Sequence, residues 1–410
     1  MQRYAHITGW GMSVPERVLT NEELARTVDT NDEWIVSHTG IRERRIAGPR
    51  DTTASLASEA ARQALECADV LPHQINLIIV ATSTPEYIFP ATACVVQDAL
   101  GASNAGAFDL SAACSGFIYG MEMAAAAIRC GSAETVLVIG AETLSKVVDW
   151  KDRGTCILFG DGAGAFVLQA SETPGGVLAS LMRSDGSGGP ALLIPAGGSH
   201  MPASADTVRD RLHYIQMDGK EVYRFATRVM ASAAREVVQA AGLSMDDIAL
   251  VVPHQANQRI IDSAARLLNL PKERFIVNLD RYGNTSTASI PIAICEAVEE
   301  GRIRPNDNLV LVGFGAGLTW GASVVQWNVQ PRAEVSSLHR LGRQTAYALS
   351  GVRTAVRRGL RRVETMWGGS SETDDGNGNG SNGAATIPGV IRRPSENGNG
   401  SSPNGNGHKP

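Results

Sequence analysis

Three residues of the chain have side chains that could together transfer an acyl group. Cys114 lies in the stretch FDLSAACSGF, His254 in VVPHQAN and Asn284 in RYGNTSTAS. Each has an ordinary structural interpretation on its own. A Cys is usually a small buried hydrophobe, a His after an apolar strand is often a hydrogen-bonded structural residue, and an Asn beside Gly favours a turn. A thiol nucleophile with a nitrogen base and an amide donor is nevertheless a recurrent set for acyl transfer.

The surroundings of Cys114 favour a reactive thiol over a structural one. The residues that follow it, SGFIYGMEMAAAAIRCG, predict a helix that ends at Gly131. A thiol at a helix N-terminus lies at the positive end of the helix dipole, which is expected to favour the thiolate. The small neighbours leave room for a substrate to reach the sulfur. Core packing is the expected role of the other five cysteines, which are Cys67, Cys94, Cys130, Cys156 and Cys295.

Two segments of the chain repeat one plan, which predicts how the three residues meet. The first runs from INLIIVAT through Cys114 to TVLVIGAE, and the second from IALVVPHQ through Asn284 to NLVLVGFG. Strands rich in Val, Ile and Leu that alternate with helices predict parallel βαβ units buried on both faces. Sites in such folds lie beyond the carboxyl ends of the strands. We therefore expect an internally duplicated α/β fold, with helices between two sheets and the two sets of strand ends together at the middle.

A glycine-rich stretch, GFGAGLTWG, runs from Gly313 to Gly321. Glycine-rich turns let backbone N–H groups approach a ligand closely, and two such groups could form an oxyanion hole. A tight turn or a phosphate loop is an equally good interpretation of the pattern alone. A Walker-type site is poorly supported, because no Lys-Ser/Thr pair follows.

Composition and cysteine spacing argue against several other functional classes of protein. Hydrophobic residues make up 43% of the 410 residues, so a sizeable core can form, and the net charge of −5 gives no basis for general nucleic-acid binding. None of the six cysteines forms a CxxC pair, so we expect no metal site. Scattered thiols and an N-terminus without a signal-peptide pattern predict a cytoplasmic protein. No apolar run reaches the roughly 18 residues of a membrane span.

The charge changes sign near residue 330. Residues 1–330 carry 26 Lys and Arg against 36 Asp and Glu, whereas residues 331–410 carry 11 against 6. We expect an N-terminal half at 1–170 with the Cys, a C-terminal half at 171–330 with the His and Asn, a basic amphipathic helix at 331–367, and a disordered Gly/Asn/Ser-rich tail at 368–410. The basic stretch at 337–366 could contact an anionic membrane, a partner protein or the acidic body of its own chain.

The motifs taken together resemble β-ketoacyl-[acyl carrier protein] synthase III, a family of the thiolase-like superfamily. The matching stretches occur in family order over about residues 1–328 and are TNDEWIVSHTGIRERR, DLSAACSGF, DRGTCILFGDGAGA, VVPHQANQRI, DRYGNTSTASIP and GFGAGLTWGAS. The resemblance implies a five-layered α-β-α-β-α fold and the condensation of an acyl-CoA starter with malonyl-acyl carrier protein. It implies Cys114 as the acylated nucleophile, His254 and Asn284 as donors to the malonyl thioester, and the backbone amides of Cys114 and Ala316 as the oxyanion hole. Neither a metal nor a redox cofactor is needed.

The resemblance also implies residues that bind coenzyme A. These are Trp34 and Arg153, which would meet the adenine and the phosphates, together with Gly219 and Asn257. His38 departs from the family pattern, which often has Arg at this position. This difference is expected to weaken the binding of CoA at neutral pH.

The carrier protein is acidic, so the resemblance implies a basic docking surface on this otherwise acidic enzyme. The positions that match the family are Gln255, Arg259, Arg224 and Arg266, with Leu267 where the family tends to have a further Lys. Family members are homodimers, and Phe89 matches a residue that reaches into the acyl pocket of the partner subunit.

Three alternatives remain beside a starter enzyme of fatty-acid synthesis. A polyketide or other specialised pathway would keep the chemistry and change the starter. HMG-CoA synthase fits less well, because its motifs pair the Cys with a catalytic Glu. A non-catalytic scaffold recruited through the basic tail would be expected to have lost residues such as Cys114, His254 and Asn284, and all three are present.

Overall fold

The two repeated segments of the sequence form two β-sheets. The computed structural model describes residues 2–329. Its strands are β1 (Tyr4–Ser13), β2 (Val18–Thr20), β3 (Glu43–Arg45), β4 (Leu77–Ala81), β5 (Gly106–Leu110), β6 (Thr135–Thr143), β7 (Asp161–Ser171), β8 (Gly176–Ser184), β9 (Leu192–Leu193), β10 (Gln216–Met217), β11 (Leu250–Pro253), β12 (Asp307–Gly315) and β13 (Thr319–Trp327). Its helices are α1 (Asn21–Leu24), α2 (Asp32–Thr39), α3 (Thr53–Ala68), α4 (Thr92–Leu100), α5 (Gly116–Arg129), α6 (Ala205–Arg209), α7 (Gly219–Ala240), α8 (Gln258–Leu268), α9 (Leu279–Tyr282) and α10 (Ser289–Glu299).

The first sheet has the strand order β1-β7-β6-β4-β5, and the second has the order β11-β12-β13-β8. In the first sheet β4 pairs in parallel with both β5 and β6, and in the second β11 pairs in parallel with β12. In the second half, the segment that follows α8 pairs with β11 only through an isolated parallel bridge between Val251 and Phe275. The two sheets are therefore related but not identical.

Helices cover both faces of each sheet, which confirms the five-layer prediction. α3 and α4 pack on the outer face of the first sheet, α5 and α10 contact both sheets from between them, and α7 and α8 cover the outer face of the second. A helix that is apolar all round must be buried. The sequence of α10, SIPIAICEAVE, has this character, and its residues from Ser289 to Ala297 are all buried.

The two halves meet closely at the carboxyl end of β6. A short 3₁₀ turn at Ser286–Ala288 lies against this strand end, and the Thr287 hydroxyl lies 2.9 Å from the carbonyl oxygen of Ala81 at the end of β4. A Cβ atom placed on Gly140 would lie 2.3 Å from the carbonyl oxygen of Thr287. Only glycine permits this approach, so the contact between the halves depends on a missing side chain.

The predictions for residues 331–367, 337–366 and 368–410 lie outside the described residues. Within the described range, no helix has both the length and the apolar character needed to cross a membrane.

Replacing Gly140 with Ala tests the contact between the halves. We expect the free energy of unfolding to fall by about 1–3 kcal/mol or more, because the added methyl group must displace backbone atoms. Thermal unfolding followed by circular dichroism measures the loss. Gly186→Ala is the control, since a Cβ atom there meets no other heavy atom within 4 Å. Equal unfolding midpoints for Gly140→Ala and the unsubstituted protein would contradict the close approach.

Candidate active site

Cys114 lies where β5 leads into α5, as the repeated plan predicts. It is the middle residue of a 3₁₀ turn at Ala113–Ser115 and is 8% exposed. Ala113 adopts the left-handed region with φ of 45°, which is unfavourable for a residue with a Cβ atom. The turn is tied down by the Ser115 hydroxyl, which lies 2.8 Å from the carbonyl oxygen of Ala112. The strained turn therefore places the thiol in the interior of the molecule.

The Cys114 thiol is protonated at neutral pH. Burial raises its pKa to about 12, and hydrogen bonds from the Ser286 side chain and from its own backbone amide offset only part of this effect. Burial therefore opposes the thiolate form that the helix N-terminus is expected to favour. Removal of the sulfur from water penalises its charged form, whatever the direction of the helix dipole.

His254 follows β11, and its backbone N–H donates to the carbonyl oxygen of Val312 at 2.8 Å. The side chain is 1% exposed, and burial lowers its pKa to about 3. The imidazole is therefore neutral at physiological pH. The ring of Phe314 meets it edge to face, with 5.4 Å between the ring centroids.

Ser289, the first residue of α10, contacts one ring nitrogen of His254. Its hydroxyl oxygen lies 2.7 Å from Nδ1 of His254 and accepts a long hydrogen bond of 3.5 Å from the backbone N–H of Gln255. The serine proton is then free to point at Nδ1, which makes Nδ1 an acceptor. When Ser289 donates to Nδ1, Nε2 carries the imidazole proton and can donate a hydrogen bond.

Asn284 is oriented in the same way by a backbone contact. Its Oδ1 accepts from the N–H of Ser286 at 2.8 Å, so Nδ2 is the end of the amide left to donate. Backbone bonds to the loop before β7 fix its position: its N–H donates to Leu158 at 2.8 Å, and its carbonyl accepts from Gly160 at 3.0 Å. Asn284 is 7% exposed. An amide donor is thus presented from a rigid turn.

The structure brings the three residues to one cavity. Cys114, His254 and Asn284 line a narrow space of about 90 Å³, whose wall also includes Phe314 and Gly315. On the other side of Cys114 a larger cavity of about 420 Å³ is lined mainly by apolar side chains, including Leu144. The thiol therefore lies between a narrow channel with two neutral donors and a wider apolar space.

Ala316 lies beside Cys114, on the turn between β12 and β13. A Cβ atom on Gly315 would lie 2.5 Å from the backbone nitrogen of Cys114, so the two segments touch. The Thr319 hydroxyl holds them together, at 2.9 Å from the carbonyl oxygen of Ala112 and 2.8 Å from the hydroxyl of Ser115. The glycine-rich stretch is thus a turn packed on the thiol-bearing segment.

Two of the residues expected to bind CoA line the narrow cavity, and the other two lie beside His38, which contacts one of them. The Arg153 guanidinium lies over the Trp34 ring at 4.9 Å, and His38 stacks on Trp34 with 4.4 Å between ring centroids. Nδ2 of Asn257 donates to the carbonyl oxygen of His38 at 3.0 Å, and Asn257 and Gly219 both line the cavity that holds the thiol. A cluster of aromatic and basic side chains therefore lies beside Asn257, next to the cavity.

Three of the four residues expected to dock the carrier protein are exposed. Arg224 and Arg259 line an outer cleft of about 590 Å³, and Arg266 is exposed farther along α8. Gln255 is a correction: it is 1% exposed, and its amide contacts the backbone of Pro253, Ile276 and Asn278. Its side chain supports the site from within and is not available to a partner.

Phe89 belongs to an exposed apolar loop before α4. It is 85% exposed, as is Ile88, while Tyr87 is 57% exposed. Exposed apolar residues grouped in this way are typical of a protein–protein interface.

Ser289, Thr319 and Glu142 were not identified from the sequence as parts of the site. All three act through hydrogen bonds to groups that are distant in the chain. The sequence could have indicated them only by position: Ser289 begins a helix, Thr319 follows a glycine-rich turn, and Glu142 lies at the carboxyl end of an apolar strand. Within the described residues, no group of three or more His, Cys, Asp or Glu could hold a metal ion.

Comparison with known proteins shows the family of the chain. Family models described as 3-oxoacyl-[acyl-carrier-protein (ACP)] synthase III and its C-terminal part match residues 108–186 and 238–327. A β-ketoacyl-[acyl-carrier-protein] synthase III of Symbiobacterium thermophilum is 58% identical over 321 residues, which cover 78% of this chain and 97% of that protein.

Solved structures agree with the sequence comparison. The 3-oxoacyl-[acyl-carrier-protein] synthase III of Aquifex aeolicus is 47% identical with a TM-score of 0.73, over 78% of this chain and 99% of that one. The corresponding enzyme of Thermus thermophilus is 46% identical with a TM-score of 0.74, over 79% and 100%. The chain therefore belongs to the β-ketoacyl-[acyl carrier protein] synthase III family, the acyl-transferring condensing enzymes that initiate fatty-acid synthesis.

Proposed function

We propose that Cys114 accepts an acyl group from acetyl-CoA or another short acyl-CoA and passes it to malonyl-acyl carrier protein. The observation that carries this proposal is that Cys114, His254 and Asn284 line one narrow cavity. Only the family assignment supports the choice of these two substrates. The geometry supports the roles of the three residues.

Acylation of Cys114 starts from the neutral thiol. The Sγ–C bond forms as the bond from the acyl carbon to the CoA sulfur breaks, and the thiol proton ends on the CoA thiolate. Negative charge develops on the thioester oxygen, and the backbone amides of Cys114 and Ala316 stabilise it. The apolar cavity beside Cys114 receives the acyl chain.

The condensation step uses the two neutral donors. Nε2–H of His254 and Nδ2–H of Asn284 donate to the thioester oxygen of the malonyl group as CO₂ leaves. The electron pair of the broken C–C bond passes into an enolate, whose carbon attacks the acyl-cysteine. The Sγ–C bond then breaks, the 3-oxoacyl product stays on the carrier, and the sulfur leaves as a thiolate that takes a proton from water to restore the Cys114 thiol. Donors that carry no charge but meet the developing enolate oxygen favour the transition state over the bound substrate.

The carrier protein docks, in this proposal, on the exposed face of α7 and α8. Lys220, Arg224 and Arg259 surround the outer cleft, and Arg266 extends the positive charge along α8. An acidic partner would be steered to this face of an otherwise acidic body. The phosphopantetheine arm would then enter between Gly219 and Asn257, where CoA also enters.

A homodimer completes the acyl pocket in this proposal. β5 lies at the edge of its sheet, and its residue Phe108 is 40% exposed. The exposed loop with Tyr87, Ile88 and Phe89 lies on the connection between β4 and α4. An exposed edge strand beside an apolar loop suits association with a second copy. Phe89 would then close the acyl cavity of the partner subunit.

Replacing Cys114 with Ala tests the nucleophile. We expect loss of the acyl-enzyme and a fall in 3-oxoacyl product of more than about 10³-fold, because no other thiol lines the cavity. Intact-protein mass spectrometry after incubation with acyl-CoA measures acylation, and product assay measures condensation. Cys130 is exposed, so the prediction that it packs in the core is wrong, and Cys130→Ala should behave like the unsubstituted enzyme. Product formation at the normal rate by Cys114→Ala would refute the proposed function.

The pH dependence of alkylation tests the protonation state of the thiol. With a pKa of about 12, the thiolate fraction of Cys114 and its reaction rate with iodoacetamide should rise about tenfold per pH unit from pH 7 to 10. Cys130 is an internal reference, because hydrogen bonding to Ser132 lowers its pKa and its rate should level off earlier. Peptide mass spectrometry separates the two sites. A plateau for Cys114 near pH 7 would show that the helix dipole dominates after all.

Reversing one charge on α8 tests the docking face. Arg266→Glu should raise the KM for malonyl-acyl carrier protein by about tenfold, because a rim charge acts mainly on encounter. Acylation of Cys114 by acyl-CoA should not change. Arg62→Glu on α3 is the matched control, with the same charge change on another face. An equal effect of both substitutions would show that only net charge matters and would contradict this docking face.

A further inference from the structure

Glu142 is a buried carboxyl group beside the active site that the proposed reaction does not use. It is the penultimate residue of β6, at the carboxyl end of the strand, and is 0% exposed. Among the described residues, no Lys, Arg or His forms an ion pair with it. A buried carboxylate without a cation is costly, so its hydrogen bonds and its charge state need an explanation.

The carboxyl group of Glu142 connects segments of both halves. From the first half, the Thr84 hydroxyl lies 2.6 Å from Oε2, and the backbone N–H of Ser83 lies 3.1 Å from each oxygen. From the second half, the Thr287 hydroxyl lies 3.2 Å from Oε1. The same carboxyl group also contacts the Ser286 side chain. Glu142 therefore holds the turn after Asn284 against the loop after β4.

A count of the available protons indicates an uncharged acid. The Thr287 hydroxyl has one proton and two acceptors nearby, the Ala81 carbonyl oxygen at 2.9 Å and Oε1 of Glu142 at 3.2 Å. If Thr287 donates to the nearer carbonyl, its oxygen faces Oε1 and can only accept. A proton on Oε1 of Glu142 satisfies both contacts, whereas an ionised carboxylate would face an oxygen lone pair.

The hydrogen bonds of the other carboxyl oxygen, Oε2, require no second proton on Glu142. The Thr84 oxygen accepts from the N–H of Thr143 at 2.9 Å, which leaves its own proton for Oε2 of Glu142. Oε2 thus accepts from Thr84 and Ser83 while Oε1–H donates to Thr287. Burial also raises the pKa of Glu142, in the same direction as the proton count.

We propose that Glu142 acts as a neutral carboxylic acid that positions the Asn284-bearing turn against the first half of the molecule. It is a positioning residue, since it acts through Thr287 and the turn and does not touch the substrate. The Cys114 thiol is the titratable group that faces it, while Thr82, Ser83, Thr84, Ser286 and Thr287 do not titrate near neutral pH. A charge on Glu142 would repel the enolate oxygen and disfavour the thiolate of Cys114. This inference rests on the proposed function.

Two substitutions and a pH profile test the proposal. Cys114 is first acylated from acyl-CoA, and the acyl-enzyme is then mixed with malonyl-acyl carrier protein in a single turnover. The acylated sulfur no longer titrates, and His254, with a pKa of about 3, does not titrate above pH 5. An alkaline fall in the condensation rate can then report Glu142.

Glu142→Gln should keep most of the condensation rate at pH 7, within about threefold of the unsubstituted enzyme. Its amide can donate to Thr287 and accept from Thr84 and Ser83, as the neutral acid does. The unsubstituted enzyme should lose rate as the pH rises and the carboxyl group ionises, whereas Glu142→Gln should lack this alkaline fall. Glu142→Ala, which cannot bridge the halves, should lose about 10²-fold in condensation.

Two results would overturn the proposal. A Glu142→Gln enzyme that folds normally but is as slow as Glu142→Ala would show that the negative charge is required. A Glu142→Ala enzyme that folds normally and condenses as fast as the unsubstituted enzyme would show that Glu142 does not position the turn. Acylation of Cys114 by acyl-CoA, measured by mass in each protein, separates these outcomes from a failure of the proposed function, which would leave even the unsubstituted enzyme unacylated.

Discussion

The contact of the turn at Ser286–Ala288 with the carboxyl end of β6 is the interaction on which the active site depends. The nucleophile belongs to the first half of the chain and both side-chain donors belong to the second. Two sets of contacts fix their relative positions. The Thr287 backbone packs closely against Gly140, and the Thr287 hydroxyl contacts Ala81 and Glu142. A shift of about 1 Å at this contact would move Asn284 away from the thioester and cost much of the rate.

Burial gives the site a consistent electrostatic character. It raises the pKa of the Cys114 thiol and of the Glu142 carboxyl group and lowers that of the His254 imidazole. All three changes favour the uncharged form, because removal from water penalises charge of either sign. A neutral cavity with fixed donors suits a reaction in which negative charge appears only in the transition state. The same burial makes the resting thiol less reactive, so activation must come with the bound thioester.

The sequence predicted the duplication, the helices between two sheets and the meeting of Cys114 with His254 and Asn284, because apolar strands and their spacing follow directly from residue type. The five layers were implied by the family resemblance. The sequence did not predict the proton positions, which depend on contacts such as Ser289 with His254 that no local pattern encodes. Gln255 was assigned to the docking surface because it matches a position of the family, yet its side chain is buried by three backbone contacts. The balance between helix dipole and desolvation at Cys114 also requires the depth of burial, which only the folded chain determines.

The duplication extends to the two turns that carry the chemistry. A 3₁₀ turn precedes α5 in the first half, another precedes α10 in the second, and both helices lie between the sheets. Each turn contains a residue other than Gly in the left-handed region, with φ of 45° at Ala113 and 49° at Ser286. Strain of this kind persists only where the surrounding packing holds it, and it concentrates at functional sites. In the first half the strained turn presents the thiol of Cys114, and in the second its counterpart orients the amide of Asn284. One strained local structure, used twice and held by buried helices, thus supplies both sides of the condensation site.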